Sequence, residues 1–154
     1  MKMKICILIL TLVFFTTGNV VAKGKASKNE CIKKCKQAAN LVIKKGLKSA
    51  LKVINNKKGP FVWKDTYVFS VHLENKTVVA HPIKPQLIGK NLLFIKDIKG
   101  KMFFSEFVNV AQKKGSGWVD YMWPKPGERK PVAKITYVYK VKGYPVLMAA
   151  GIYK

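Results

Sequence analysis

Apolar and polar residues alternate with two different periods along this chain, and the change of period divides it. From Ile32 to Ile54 the apolar positions Ile32, Cys35, Ala38, Ala39, Val42, Ile43, Leu47, Ala50, Leu51 and Ile54 recur at spacings of three and four. Lys33, Lys34, Lys36, Lys44, Lys45, Lys48 and Lys52 fill the other side. That is the stripe of one long amphipathic helix, and Asn55-Asn56-Lys57-Lys58-Gly59-Pro60 ends it with helix breakers. Beyond Pro60 the pattern is that of strands. Thr66–His72 is rich in β-branched and aromatic residues, Glu74-Asn75-Lys76 reads as a turn, and Thr77–His81 is the partner strand of a hairpin. Pro82 to Lys90 is a loop. Lys101–Lys114 carries Met102, Phe103, Phe104, Phe107, Val108 and Ala111, which suits a second, shorter helix closed by Gly115-Ser116-Gly117. Trp118–Trp123, Val132–Val141 and Pro145–Tyr153 add three strands. The expected fold is α+β: a long N-terminal helix beside a five-stranded antiparallel sheet, with helices on one face or edge.

The start of the chain obeys neither period. Lys2 and Lys4 precede an apolar run from Ile5 to Phe15, and small residues follow up to Val20-Val21-Ala22. An apolar core of about 11 residues is well below the roughly 20 that cross a bilayer. Residues 1–22 therefore read as a secretory signal peptide, cut so that Lys23 becomes the N-terminus. Residues 23–30 are expected to form a loose basic arm, and 31–154 one domain with its own core. The expected location is the periplasm or the outside, with no transmembrane segment left after cleavage.

Charge changes the picture in one respect. The chain has 154 residues and a net charge of +23, with 30 Lys+Arg against 7 Asp+Glu. Such an excess attracts small anions and polyanions. It argues poorly for nucleic-acid reading, which favours arginine forks, because Arg129 is the only arginine. Cys31 and Cys35 remain after cleavage, and an even pair in an oxidising compartment suggests a disulfide. Their helical spacing of about 6 Å between Cα atoms lies within range; a strained bridge or two free thiols are the alternatives.

Little points to catalysis. The chain has no Gly-x-Ser-x-Gly elbow, no His-Glu-x-x-His and no P-loop, and no cofactor motif is present. His72 and His81 are the only histidines, and no carboxylate cluster accompanies them to hold a metal. Asp120, the best-placed acid, alternates away from Tyr121. The expectation is a binding protein, not an enzyme.

Several strings, in order, resemble a known module. Tyr67-Val68-Phe69 leads to Ala80-His81-Pro82, then Leu87-Ile88-Gly89-Lys90-Asn91-Leu92. Gly115-Ser116-Gly117-Trp118 runs through Tyr121-Met122-Trp123-Pro124-Lys125-Pro126, and Lys134, Tyr137-Val138 and Ala150-Gly151-Ile152-Tyr153 follow. Together they resemble the single Cache domain, a PAS-like extracellular sensor module. The resemblance implies a helix beside a sheet, with a small-molecule pocket between the sheet and the loops over it. It implies a small organic ligand, often a short carboxylate. Most members sit in chemoreceptors or sensor kinases. This sequence ends at Lys154 without a signalling domain, so a stand-alone form is expected, one that captures its ligand or presents it to a membrane receptor or another protein. Strand alternation puts Tyr121 and Trp123 on one face, and Lys134 with Thr136 on one face. If these face the pocket, an anion would sit against the Lys134 ammonium between aromatic walls. Phe69 and His81 join the expected site by carry-over from the matching strings. The competing expectation is a cationic surface protein that binds polyanions through its many lysines.

Overall fold

A computed structural model describes residues 24–154; the expected signal peptide lies outside the described residues. The elements are α1 (Lys28–Lys45), α2 (Leu47–Ile54), β1 (Val62–Trp63), β2 (Thr66–His72), β3 (Val78–Ala80), α3 (Phe103–Lys114), β4 (Ser116–Pro124), β5 (Pro131–Lys140) and β6 (Val146–Tyr153). The α+β class is as expected. The sheet has six strands, not five, because the two-residue β1 pairs with β2 beside β3. Strand order is β1-β2-β6-β5-β4, with β3 on the same edge of β2 as β1, and every pairing is antiparallel.

The long helix begins earlier than expected and is broken. Ser27 caps α1: its hydroxyl accepts from Glu30 N–H, and the Glu30 carboxylate accepts from Ser27 N–H. Such a reciprocal pair satisfies two backbone donors that a helix start leaves open. The last residues of the expected arm, Lys28 to Glu30, are thus helix, and the neighbouring Ala26 N–H is held by Asp65 at 2.8 Å. At Gly46 the backbone turns to φ 77, ψ 157, a conformation open to glycine, and separates α1 from α2. The apolar stripe survives the break, apart from Ile43, which is 53% exposed.

Helices cover both faces of the sheet, a correction to the expected one-sided arrangement. α1 and α2 pack Cys31, Cys35, Ala38, Ala39, Val42, Ala50 and Ile54 against Val68, Tyr137, Met148 and Ala150. Small residues at the centre of α1 let it lie close. On the opposite face, α3 lays Phe103, Phe104, Phe107, Val108 and Ala111 over Phe69, Tyr121, Val138 and Leu147. The central strands β2 and β6 are buried on both sides accordingly.

The expected Cys31–Cys35 bridge is absent; both thiols are free and buried. Side chains four apart on a helix hold their Cβ atoms about 5–6 Å apart, whereas a disulfide needs about 3.5–4.5 Å. Burial pushes the Cys31 thiol up to about 12 and Cys35 well above its ordinary value. Both therefore stay protonated and poorly reactive. The Cys35 Sγ lies 3.8 Å from the Tyr137 carbonyl.

Candidate functional site

The site lies on the α3 face of the sheet. Period-two alternation sends Tyr67 and Phe69 of β2, Tyr121 and Trp123 of β4, Lys134 and Thr136 of β5 and Tyr153 of β6 to this side. The loop after β3 brings His81 to it. α3 closes it from above with three phenylalanines. Tyr67, Phe69, His81, Phe103, Phe104, Phe107, Tyr121 and Trp123 line a cavity of ≈ 10 Å³, room for about one water. Phe103 stacks on Tyr121 with centroids 4.4 Å apart and planes 9° from parallel. Phe107 meets Tyr121 edge-on at 5.3 Å, and His81 stacks on Phe69 at 5.8 Å.

One end of this aromatic box is polar. Lys134 is fully buried at 0% exposure. Its Nζ donates to Tyr153 Oη at 3.1 Å and to Tyr67 Oη at 3.5 Å. It also lies 4.5 Å and 4.6 Å from the centroids of the same two rings. Tyr67 Oη accepts in addition from Trp123 Nε1 at 3.1 Å, and Tyr153 Oη donates to the Pro124 carbonyl at 3.1 Å. The ammonium takes part in no ion pair among the described residues. Burial, reinforced by the charge of Lys84 and only partly opposed by that of Asp65, pushes its pKa down to about 7. Burial also pushes Tyr67 up to about 12, so its phenol stays protonated. Since the Tyr67 oxygen already accepts twice, its own proton is left to donate.

His81 completes the donor set. Its Nδ1 accepts from Lys84 N–H at 3.0 Å, and its backbone N–H is held by Asn55 Oδ1 at 2.8 Å. With Nδ1 committed as acceptor, the ring proton sits on Nε2. Burial, then the charges of Lys134 and Lys84, push its pKa down to about 3, so the ring is neutral at pH 7. Lys84 Nζ lies 4.8 Å over the Trp123 ring and adds a second positive charge near the box.

All five residues singled out from sequence are thus gathered in one place: Phe69, His81, Tyr121 and Trp123 line the cavity, and Lys134 lies behind Tyr67. Sequence reasoning missed Tyr67 and Tyr153, the three phenylalanines of α3, and Lys84. Tyr67 was within reach, since it shares a strand face with Phe69. Asp120 lies at the edge of β4, exposed, paired with Lys101 at 3.2 Å. Among the described residues no group of His, Cys, Asp and Glu is gathered as a metal site.

Close packing in the sheet holds the site. Tyr121 Oη lies 3.1 Å from Thr136 Oγ1, and Thr136 faces Gly151 across β5 and β6. A Cβ at Gly151 would collide with Thr136 Oγ1 and stand 2.6 Å from the Ile135 carbonyl. Gly151→Ala is therefore expected to destabilise the domain by about 1–3 kcal/mol through overpacking and to loosen Tyr121. Urea denaturation checks the first, and near-ultraviolet circular dichroism of the aromatic cluster the second.

An antiparallel sheet with α1 and α2 on one face, and an aromatic cavity closed by α3 on the other, is the architecture of a PAS-like sensor domain. The chain belongs to the Cache domain family, whose family model matches residues 22–154. It is similar to the methyl-accepting chemotaxis protein McpP of Pseudomonas putida, 37% identical over 76 residues. Those residues are 49% of this chain and 14% of that receptor, so the chain matches only a small part of its relative. A solved periplasmic sensor domain of a chemotaxis protein is 28% identical with a TM-score of 0.65, covering 81% of this chain and 88% of that one. A Cache chemosensory domain solved for the structural basis of carboxylic acid recognition is 28% identical with a TM-score of 0.68, covering 81% and 91%. A methyl-accepting chemotaxis protein from Vibrio parahaemolyticus shares the fold, with a TM-score of 0.69, 23% identity and coverage of 82% and 87%. No helix among the described residues is long and apolar enough to cross a membrane.

Proposed function

We propose that this Cache domain binds a small organic carboxylate outside the cytoplasm, in the aromatic box, against Lys134. The observation that carries the reading is a buried ammonium with donors around it and no carboxylate within ion-pair distance among the described residues. Lys134 Nζ, the Tyr67 hydroxyl and His81 Nε2 each have a proton to present, and Trp123 Nε1 donates to the Tyr67 oxygen and so holds that hydroxyl in place. A group of donors that excludes water is complementary to an acceptor-only ligand, and a carboxylate offers about four lone-pair sites. The apolar walls suit a short alkyl or acyl tail. The similarity to a domain solved for carboxylic acid recognition supports the ligand class. The leader-like residues 1–22 and the similarity to a periplasmic sensor domain support the location. With room for about one water, the box must open by moving its phenylalanines, so ligand size is set by how far α3 yields.

The neutral imidazole and the protonated phenols are binding groups, and we propose no reaction at this site. The exposed lysines of α1 and α2 favour the polyanion reading as a second one. Thermal shift separates the two. Short monocarboxylates at about 100 times their dissociation constant are expected to stabilise the domain by roughly 2.7 kcal/mol, while the amides of the same acids leave it unchanged. Stabilisation by heparin alone, vanishing with salt, would overturn the carboxylate reading.

A further inference from the structure

The described residues expose six large apolar side chains, and five of them fall in one segment. Ile88, Phe94, Ile95, Ile98 and Met102 are 39%, 77%, 39%, 67% and 41% exposed. The segment is the loop between β3 and α3, and Lys90, Lys96, Lys99 and Lys101 are interleaved with its apolar residues. Asp97 is its one acid, and that carboxylate accepts from backbone donors of the loop and of β4: Lys99 N–H at 2.8 Å, Lys101 N–H at 3.0 Å and Met122 N–H at 2.8 Å. Lys101 is paired with Glu106 and Asp120, each at 3.2 Å, so the loop's positive excess is carried by Lys90, Lys96 and Lys99 against Asp97.

The loop is also built rather than slack. Asp97 N–H bonds the Lys101 carbonyl at 3.0 Å, and Gly100 N–H bonds the Asp97 carbonyl at 2.9 Å. Leu92 is buried in the core below, and the Ser105 hydroxyl bonds the Leu93 carbonyl. Phe94 and Ile98 are thus displayed on a fixed platform while their neighbours anchor it. Exposed apolar clusters of this kind mark interaction sites.

We propose that this loop docks on an anionic lipid bilayer, with Phe94 and Ile98 entering the headgroup–acyl boundary and Lys90, Lys96 and Lys99 pairing with lipid phosphates. Two features select a membrane over a protein partner. Lysine is depleted in protein–protein interfaces, where arginine is enriched, and every cation of this loop is lysine. Exposed apolar side chains flanked by lysines, Phe94-Ile95 before Lys96 and Ile98 before Lys99, combine apolar insertion with attraction to anionic lipid. A soluble polyanion would use the lysines and leave Phe94 and Ile98 without a role. The docking surface is independent of the carboxylate pocket and stands or falls separately from it.

The test uses the full chain with Phe94→Trp, which keeps an aromatic at the tip and adds emission there. Vesicles of phosphatidylglycerol carrying brominated acyl chains are expected to quench the added emission, and vesicles of brominated phosphatidylcholine to leave it. Lys96→Glu with Lys99→Glu in the same chain should remove the quenching. Phe94→Ser with Ile98→Ser should weaken cosedimentation with phosphatidylglycerol at least about tenfold. Cosedimentation without quenching of the introduced indole would place the contact elsewhere, on residues 1–23 or the lysines of α1 and α2, and overturn the proposal. A blue shift of that emission without vesicles, together with a larger sedimentation coefficient, would show a second copy covering the loop and would overturn it equally.

Discussion

Lys134→Met is expected to weaken binding of a short carboxylate by about 2–5 kcal/mol and to leave the empty domain at least as stable at neutral pH. The two effects have one cause. The ammonium is fully buried, and its companions are phenol oxygens and aromatic faces. In the empty protein this is an expensive place for a charge, which is why its pKa falls to about 7. Methionine matches the length of the lysine stem and removes that cost, and replacing a buried charge with an apolar residue of similar volume is often neutral or stabilising. In the complex the same change leaves a carboxylate facing phenols with no cation. Calorimetric titration and a thermal melt at one pH read both quantities. A variant that binds normally, or that loses binding only because it unfolds, would contradict the assignment.

The second large effect is on pH. Above about 7 the Lys134 side chain of the empty domain is largely neutral. A bound carboxylate favours the charged form, so binding in this range must take up a proton. Affinity is therefore expected to fall by up to about tenfold per pH unit above 7, and to level off below it. The other groups facing the box do not interfere: His81, at about 3, and Tyr67, at about 12, keep one form between pH 5 and 10. The empty domain shows the opposite trend in stability. Between the lowered pKa of about 7 and the ordinary lysine value, the unfolded chain holds a proton that the folded one has lost, so the Lys134 contribution rises with pH. Burial of His81 makes the same sign of contribution between about 3 and its ordinary value. Titrations in buffers of different ionisation enthalpy measure the proton uptake directly, and Lys134→Met should abolish it. An affinity independent of pH from 6 to 9 would mean that Lys134 is not the partner of the ligand.

The fold was legible wherever one period persisted. The helical spacing of Val42, Leu47, Ala50 and Ile54 and the alternation of Tyr121 with Trp123 each mark an element that the structure contains. The break at Gly46 was hidden because the ladder nearly survives it: Gly46 N–H still bonds the Val42 carbonyl at 2.8 Å, and Ala50 N–H bonds the Gly46 carbonyl at 3.1 Å. The helix start was legible in Ser27 and Glu30, but the charge of the segment obscured it. The two-sided cover of the sheet was also legible: β2 and β6 run Thr-Tyr-Val-Phe-Ser-Val and Val-Leu-Met-Ala-Ala-Gly with hardly a polar interruption, the pattern of strands buried on both faces. The cysteines mislead because Cα spacing alone does not make a bridge.

The site was half legible for the same reason. Residues on strands follow period two, so Tyr121 could be placed with Trp123, and Lys134 with Thr136, before any coordinates; that the two pairs share a face follows from the pairing of β4 with β5. The phenylalanines of α3 could be assigned to a buried stripe, but nothing local says which part of the sheet that stripe covers. Tyr153 and Lys84 reach the box only through strand order and the path of the loop after β3, which are tertiary facts.

Whether a carboxylate sits in the aromatic box against Lys134 is tested most directly by a crystal structure of the domain grown with a short carboxylate that stabilises it. The expected result is density for the carboxylate within hydrogen-bonding distance of Lys134 Nζ and the Tyr67 hydroxyl, with its tail among the α3 phenylalanines. Density for the ligand on the lysine face of α1 and α2, with the box still closed, would contradict it.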